Sequence, residues 1–312
     1  MSISSIPAPP SQQSAVRNLS LYATIALVGV CIIWGTTFTV VKDALDDASA
    51  LVFLALRFGL ATASLWIAFR WHGPLRLGRE LLRNGSLIGF ALFAGYLCQT
   101  IGLRFTTPAR SAFLTGLFIV FVPAIMAFQR KRLPSGSEII GIVAGFVGLG
   151  FLASPVSFDD TSIGDALTVV CALAYAVHIL LLARFSGTAD PRALTLIQIG
   201  TAFVLSLFTF WWVETPFLRL SPRLWVAVGI TGILATAVAF MVQTWAQRHV
   251  PPTRTAFIFA LEPVFAWITS FLVAGERLSM EGLTGAALIL LGILFVEIKP
   301  LTWLTRRWAG ST

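Results

Sequence analysis

Residues 99–121 and 243–265 carry one short text twice. Set 144 positions apart, the copies share Gln99/Gln243, Thr100/Thr244, Arg104/Arg248, Pro108/Pro252 and Arg110/Arg254. They also share Ala112/Ala256, Phe113/Phe257, Leu117/Leu261, Val120/Val264 and Phe121/Phe265, which makes 10 identities in 23 positions. Apolar bias can match Leu with Leu, but it does not place Gln, two Arg and Pro in register. The chain therefore reads as a duplicated unit, and duplication among apolar runs points to the repeated halves of membrane transporters.

Only 12% of the 312 residues are charged, 57% are hydrophobic and the mean hydropathy is +0.85. A soluble domain carries about 25% charged residues. With half of that, the lipid bilayer must be the solvent for much of this surface. The net charge of +8 would suit nucleic acid in a soluble protein. Here the basic residues sit in short loops between apolar runs, so no nucleic-acid partner is expected. Cys31, Cys98 and Cys171 fall within apolar runs without metal-binding or CxxC spacing, and are read as packing residues.

A helix crosses roughly 30 Å of hydrocarbon in about 20 residues. Ten stretches qualify, near 22–41, 50–69, 83–103, 107–128, 137–154, 163–183, 193–213, 224–246, 251–273 and 281–298. The fourth and ninth begin at prolines, which a first helical turn tolerates. Residues 1–20 are rich in Ser, Pro and Gln and lack a signal-peptide pattern; they and residues 299–312 are expected as cytoplasmic tails, the first disordered. With the N-terminus inside, alternation puts 15 Lys and Arg in the cytoplasm and 6 outside, with Arg57 in a span. That bias supports two cytoplasmic termini and an even number of spans. Five spans per half is an odd number, so the second half enters the membrane inverted. The expected fold is an all-α integral membrane protein of ten transmembrane helices, arranged as two inverted five-helix repeats at 21–155 and 162–298.

Local texts then resemble one family. Trp34-Gly35-Thr36-Thr37-Phe38 is similar to a WG-x-x-F signature, and Arg57-Phe58 to its Arg-Phe pair. Leu261-Glu262-Pro263-Val264, followed by Gly275-Glu276-Arg277-Leu278, resembles the end of a second repeat. With the span count, residues 20–298 resemble the EamA-type transporters of the drug/metabolite transporter superfamily. The resemblance implies movement of small organic solutes, such as amino acids, amines or related metabolites, with export the expected direction. One departure stands out: Glu262-Pro263 aligns with Phe118-Ile119 in the first copy, and Gly275-Glu276 falls near Lys131-Arg132.

Glu262 lies near mid-span, where an ionised carboxylate costs several kcal/mol unless paired, protonated or facing water. It is a candidate to attract a cationic solute or carry a proton, and protons are a candidate coupling ion; the alternative is a packing role beside Pro263. His178 aligns with Trp34 at the same offset, and both should face the repeat interface, as a polar group and a flat wall or as packing residues. Phe38 shares the Trp34 signature. Gln99 and Gln243 are repeat partners, and Tyr96 precedes Gln99 by one turn, so a polar stripe or interhelical glue is expected there. Arg57 is expected either to hold a substrate carboxylate or to snorkel outward to Asp43, Asp46 or Asp47. Arg104, Arg110, Arg248 and Arg254 sit at span ends as anchors, with Arg110 and Arg254 further candidates for gates. Trp211, Trp212, Trp225, Trp303 and Trp308 suit an aromatic belt.

No P-loop, GxSxG or HExxH text occurs, so no enzyme, cofactor or metal is expected. The working reading is a plasma-membrane secondary transporter with a small-molecule substrate and alternating access. Its rivals are an amphiphile exporter or lipid-linked flippase on the same fold, and a membrane sensor without transport.

Overall fold

The computed structural model describes residues 10–75, 77–152, 163–274 and 280–298. These form thirteen α-helices and one π-helical segment. The first half holds α1 (Pro10–Ala44), α2 (Ala50–Arg70), α3 (Arg79–Gly102), α4 (Pro108–Thr115), α5 (Phe118–Arg130) and α6 (Gly136–Leu152). The second holds α7 (Ile163–Phe185), α8 (Pro191–Val213), α9 (Pro222–Gly229), the π segment (Ile230–Val238), α10 (Ala239–Ala246), α11 (Pro252–Phe259), α12 (Glu262–Ala274) and α13 (Met280–Ile298). Seven stretches are long and apolar enough to cross a membrane, from Asn18–Ala44 to Pro222–Ala246, and Gly136–Leu152 and Met280–Val296 are shorter apolar helices.

Three expectations change. The helix runs from Pro10, so residues 10–20 are helical rather than disordered; proline's fixed φ suits a first helical turn. The fourth and ninth stretches are each two helices, broken at Gly116-Leu117 and Ala260-Leu261. At both breaks the backbone tightens to i→i−3 bonds, Leu117 N–H to the Leu114 carbonyl and Leu261 N–H to that of Ile258. Pro263 follows the second break, but the first has no such proline, so proline is not the common cause. The Gly275–Leu278 text, Trp303 and Trp308 lie outside the described residues.

Local chemistry explains the boundaries. Thr107, Asp190 and Ser221 cap α4, α8 and α9, and each precedes a proline at N1. Ser135 and Glu138 form a capping box at α6: the Glu138 N–H donates to the Ser135 hydroxyl, and Glu138 accepts from the Ser135 N–H at 2.8 Å. The Glu214 carboxylate caps α2 from across the fold, accepting from the N–H groups of Ala50 and Leu51 at 3.0 and 2.7 Å. Lys131 ends α5 in the left-handed region, with φ 50°, and the Arg132 N–H returns to the Ala127 carbonyl.

The 144-residue offset holds in three dimensions. α4, α5 and α6 begin at 108, 118 and 136, and α11, α12 and α13 begin at 252, 262 and 280. α6 and α13 pack directly through small residues. A Cβ on Gly148 would lie 2.7 Å from the Gly285 carbonyl oxygen, and one on Gly141 would lie 2.9 Å from that of Gly292. Gly141 corresponds to Gly285 and Gly148 to Gly292, so the contacts are antiparallel and reciprocal, as a two-fold relation between halves produces. α2 and α8 likewise meet where Gly59 touches its own counterpart, Phe203.

Candidate substrate cavity

A narrow cavity of about 50 Å³ lies where α1, α2, α3, α7 and α10 converge with the two helix breaks. Trp34, Phe38, Tyr96, Gln99, His178, Gln243, Glu262 and Arg57, all singled out from sequence, line it. Much of the wall consists of counterpart pairs at the 144 offset: Trp34 with His178, Tyr96 with Phe240, Gln99 with Gln243, and Phe118 with Glu262.

The aromatic wall is built on Trp34. Its ring centroid lies 5.3 Å from that of Phe240 and 5.1 Å from that of Phe259, and its Nε1–H donates to the Ala235 carbonyl at 2.9 Å. Ala235 belongs to the π segment, whose wider turn redirects groups that an α-helix would keep to itself. Gly35 beside Trp34 allows α12 to close on α1: a Cβ there would sit 2.7 Å from the Glu262 carbonyl oxygen.

Arg57 does not snorkel. It is 3% exposed, and its Nε–H donates to the Thr236 hydroxyl at 2.7 Å and its Nη2–H to the Tyr96 hydroxyl at 3.0 Å. Its guanidinium also lies 4.5 Å from the Tyr96 ring centroid. Inward groups from α3 and the π segment hold it, so it never reaches Asp43, Asp46 or Asp47. No described carboxylate lies within ion-pair distance of it. Asp47 instead accepts from the Ser221 hydroxyl at 2.6 Å and pairs with Arg223 at 3.0 Å; these two partners hold its carboxyl below the usual aspartate range.

Glu262 begins α12 at the break, where the helix dipole favours a carboxylate. It is 8% exposed, lines the cavity, and has no hydrogen-bond or ion-pair partner among the described residues. Gln243 is buried and donates to the Gln247 side chain at 2.8 Å, and its Oε1 has no donor among the described residues. Gln99 is better satisfied: it donates to the Thr115 hydroxyl at 3.2 Å and accepts from the Tyr175 hydroxyl at 3.3 Å. His178 is hydrogen-bonded through Nε2 to the Gln198 Oε1 at 2.9 Å, and the Gln198 amide donates onward to Thr244 at 2.9 Å. That interhelical chain matches the packing alternative, although the ring also forms part of the cavity wall.

Arg110 and Arg254 lie outside the cavity wall. Arg110 pairs with Asp165 at 2.6 Å, joining the starts of α4 and α7, and Arg254 donates to the Ser20 hydroxyl at 3.2 Å, joining α11 to α1. The two arginines correspond at the 144 offset, and each ties the start of its helix to a neighbouring helix.

Sequence reading missed Tyr175, Thr236 and Gln198. Tyr175 precedes His178 by three residues, the same spacing that joined Tyr96 to Gln99, so that signal was present. Thr236 and Gln198 sit inside apolar text, and only the packing shows which way they point. No group of three His, Cys, Asp or Glu that could hold a metal occurs among the described residues.

A bundle of apolar helices around a partly polar cavity defines a multi-pass membrane protein. The model of the EamA-like transporter family matches residues 21–154 and again 162–298, and the chain belongs to that family. An uncharacterized transporter of Archaeoglobus fulgidus is 34% identical over 92% of this chain and 90% of its own length. The uncharacterized transporter YoaV of Bacillus subtilis is 22% identical over 86% of this chain and 94% of its own. The uncharacterized inner membrane transporter YedA of Escherichia coli is 24% identical over 88% and 90%. A solved structure matches the fold with a TM-score of 0.73 at 20% identity, covering 92% of this chain and 98% of that one. The protein is thus a membrane transporter by family, in the plasma membrane.

Proposed function

We propose that the protein is a secondary transporter of small organic metabolites of the amino-acid or amine type, exporting them by alternating access around this cavity. The observation that carries the reading is Glu262, a carboxylate at the wall of a buried cavity with no partner among the described residues. Such a group costs free energy unless a cation, a proton or water meets it. The Gln243 Oε1 adds a second acceptor for an ammonium group. Arg57, buried with no carboxylate partner among the described residues, is the matching group for a substrate carboxylate. Trp34 and Phe38 supply the flat apolar wall, and Tyr96, Gln99 and His178 the polar groups that orient the solute.

The same proposal includes ten spans in two inverted repeats, 21–155 and 162–298, with both termini cytoplasmic. Its support is the reciprocal glycine contacts and the grouping of loop contacts. Lys42 with Thr106, Asp165 with Arg110, and Asp47 with Arg223 fall at ends assigned to one side by alternation; Arg192 with His72 and Arg254 with Ser20 fall at ends assigned to the other.

The test is counterflow of labelled amino acids, amines and nucleobases into liposomes holding the purified protein, with and without a pH gradient. Saturable exchange of amines or amino acids is expected, and a gradient requirement that disappears in Glu262→Gln assigns that carboxylate a proton role. Exchange of amphiphiles alone would favour the flippase reading, and folded protein with no exchange at all would overturn the proposal.

A further inference from the structure

A second opening lies away from the cavity, between α5 and α7 where their C-terminal ends meet the start of α11. Its walls are apolar: Ile125 and Met126 on α5, and Val177, Leu180 and Leu181 on α7. Val177 is 37% exposed, so the crevice opens towards the hydrocarbon that surrounds the bundle. Gln129, Arg130 and Arg184 close one end. Both arginines are exposed, and neither pairs with a described carboxylate; the Arg184 guanidinium rests 5.4 Å from the Phe185 ring centroid.

The duplicated half supplies the comparison. The equivalent helix pair is α1 with α12, which also pack together; a crevice there includes Thr39 and Pro108, the counterparts of Ala183 and Pro252. At the positions of Arg130 and Arg184 the chain there has Ala274 and Val40. The seam therefore forms without the arginines, and they are not needed to pack it. Ile179 occupies the position of Gly35, so α5 lacks the close approach to α7 that Gly35 permits between α12 and α1.

We propose that the α5–α7 crevice binds an anionic phospholipid. Arg130 and Arg184 hold the headgroup phosphate, Gln129 donates to it, and one acyl chain lies along the apolar walls. A basic pocket between transmembrane helices is suited to anionic headgroups, and the bidentate geometry of arginine suits phosphate. This end of α5 and α7 is the one that charge bias assigns to the cytoplasm, where anionic lipid is enriched.

The test is native mass spectrometry of the full-length protein titrated with phosphatidylglycerol or phosphatidylcholine. The wild type should bind phosphatidylglycerol in preference. Arg130→Gln with Arg184→Gln should weaken that binding roughly 30-fold, at about 1 kcal/mol per basic group near the membrane surface. Arg130→Lys with Arg184→Lys should recover most of it. Arg79→Gln with Arg83→Gln removes the same charge elsewhere and should change binding less than about threefold. Equal weakening in both Gln pairs would show diffuse attraction rather than a site and overturn the proposal. So would equal binding of the two lipids, or glycerol phosphate displacing the lipid at matching concentration.

Discussion

The two halves share helix boundaries but divide the chemistry between them. Phe118 and Glu262 occupy equivalent places at the two helix breaks, and one is an aromatic ring while the other is a carboxylate. Arg57 has Thr201 as its counterpart, Tyr96 has Phe240, and Arg110 with its Asp165 corresponds to Arg254 with Ser20. Duplication has thus kept the scaffold, which needs only helix length, small-residue contacts and breaks. The cavity lining does not keep that symmetry, because equivalent positions carry side chains of different charge and polarity. The cavity's cation comes from the first half and its carboxylate from the second.

Substitutions at equivalent positions can break or sharpen this contrast. Arg110→Met removes the arginine of the buried Asp165 pair, leaving Asp165 its bond from the Thr106 hydroxyl, and should destabilise by about 3 kcal/mol. Arg254→Met removes its bond to the Ser20 hydroxyl, which by itself is worth about 1 kcal/mol. Thermal unfolding in detergent measures both, and equal shifts would mean that the ion pair adds nothing to the asymmetry. Glu262→Gln should lower amine counterflow by roughly 10- to 100-fold, the worth of one charge-assisted hydrogen bond. Phe118→Leu should cost less than about threefold. A larger loss at Phe118 would move substrate recognition to the first half.

Gly35→Ala should destabilise by about 1–2 kcal/mol, because the added Cβ meets the Glu262 carbonyl. Gly29→Ala, on the same helix with no atom within 4 Å of the added Cβ, should be neutral or slightly stabilising. The smallest effect concerns Asp47. Its carboxyl is held below the usual range by Ser221 and Arg223, so folding favours the ionised form. That contribution is fully present above the ordinary aspartate pKa of 3.8 and is lost as pH falls through the lower folded value. Asp47→Asn should therefore lower stability slightly at neutral pH, flatten the acid limb of the profile, and converge with the wild type at acid pH.

The duplication, the apolar helices and about half of the cavity lining, including most of its polar groups, were legible from residue order. Identical polar residues at a fixed offset are rare in apolar text, so Gln99, Gln243 and the Trp34–His178 correspondence pointed to one place. Glu262 was legible because a mid-span carboxylate is costly wherever it faces lipid. The reading of Arg57 stayed open between outward and inward, since sequence gives depth along a helix but not which neighbour's hydroxyl is within reach. Tertiary structure decided it through Tyr96 and Thr236, which come from α3 and the π segment. The helix breaks were largely hidden: Pro263 marks only the second, the first has no such proline, and the tightened turns appear only once the backbone is placed. Hydropathy and periodicity are local properties, so sequence by itself determined which segments are helices and that the halves are related. Which polar group meets which depends on contacts across 39 to 179 residues of chain, and only packing decides those.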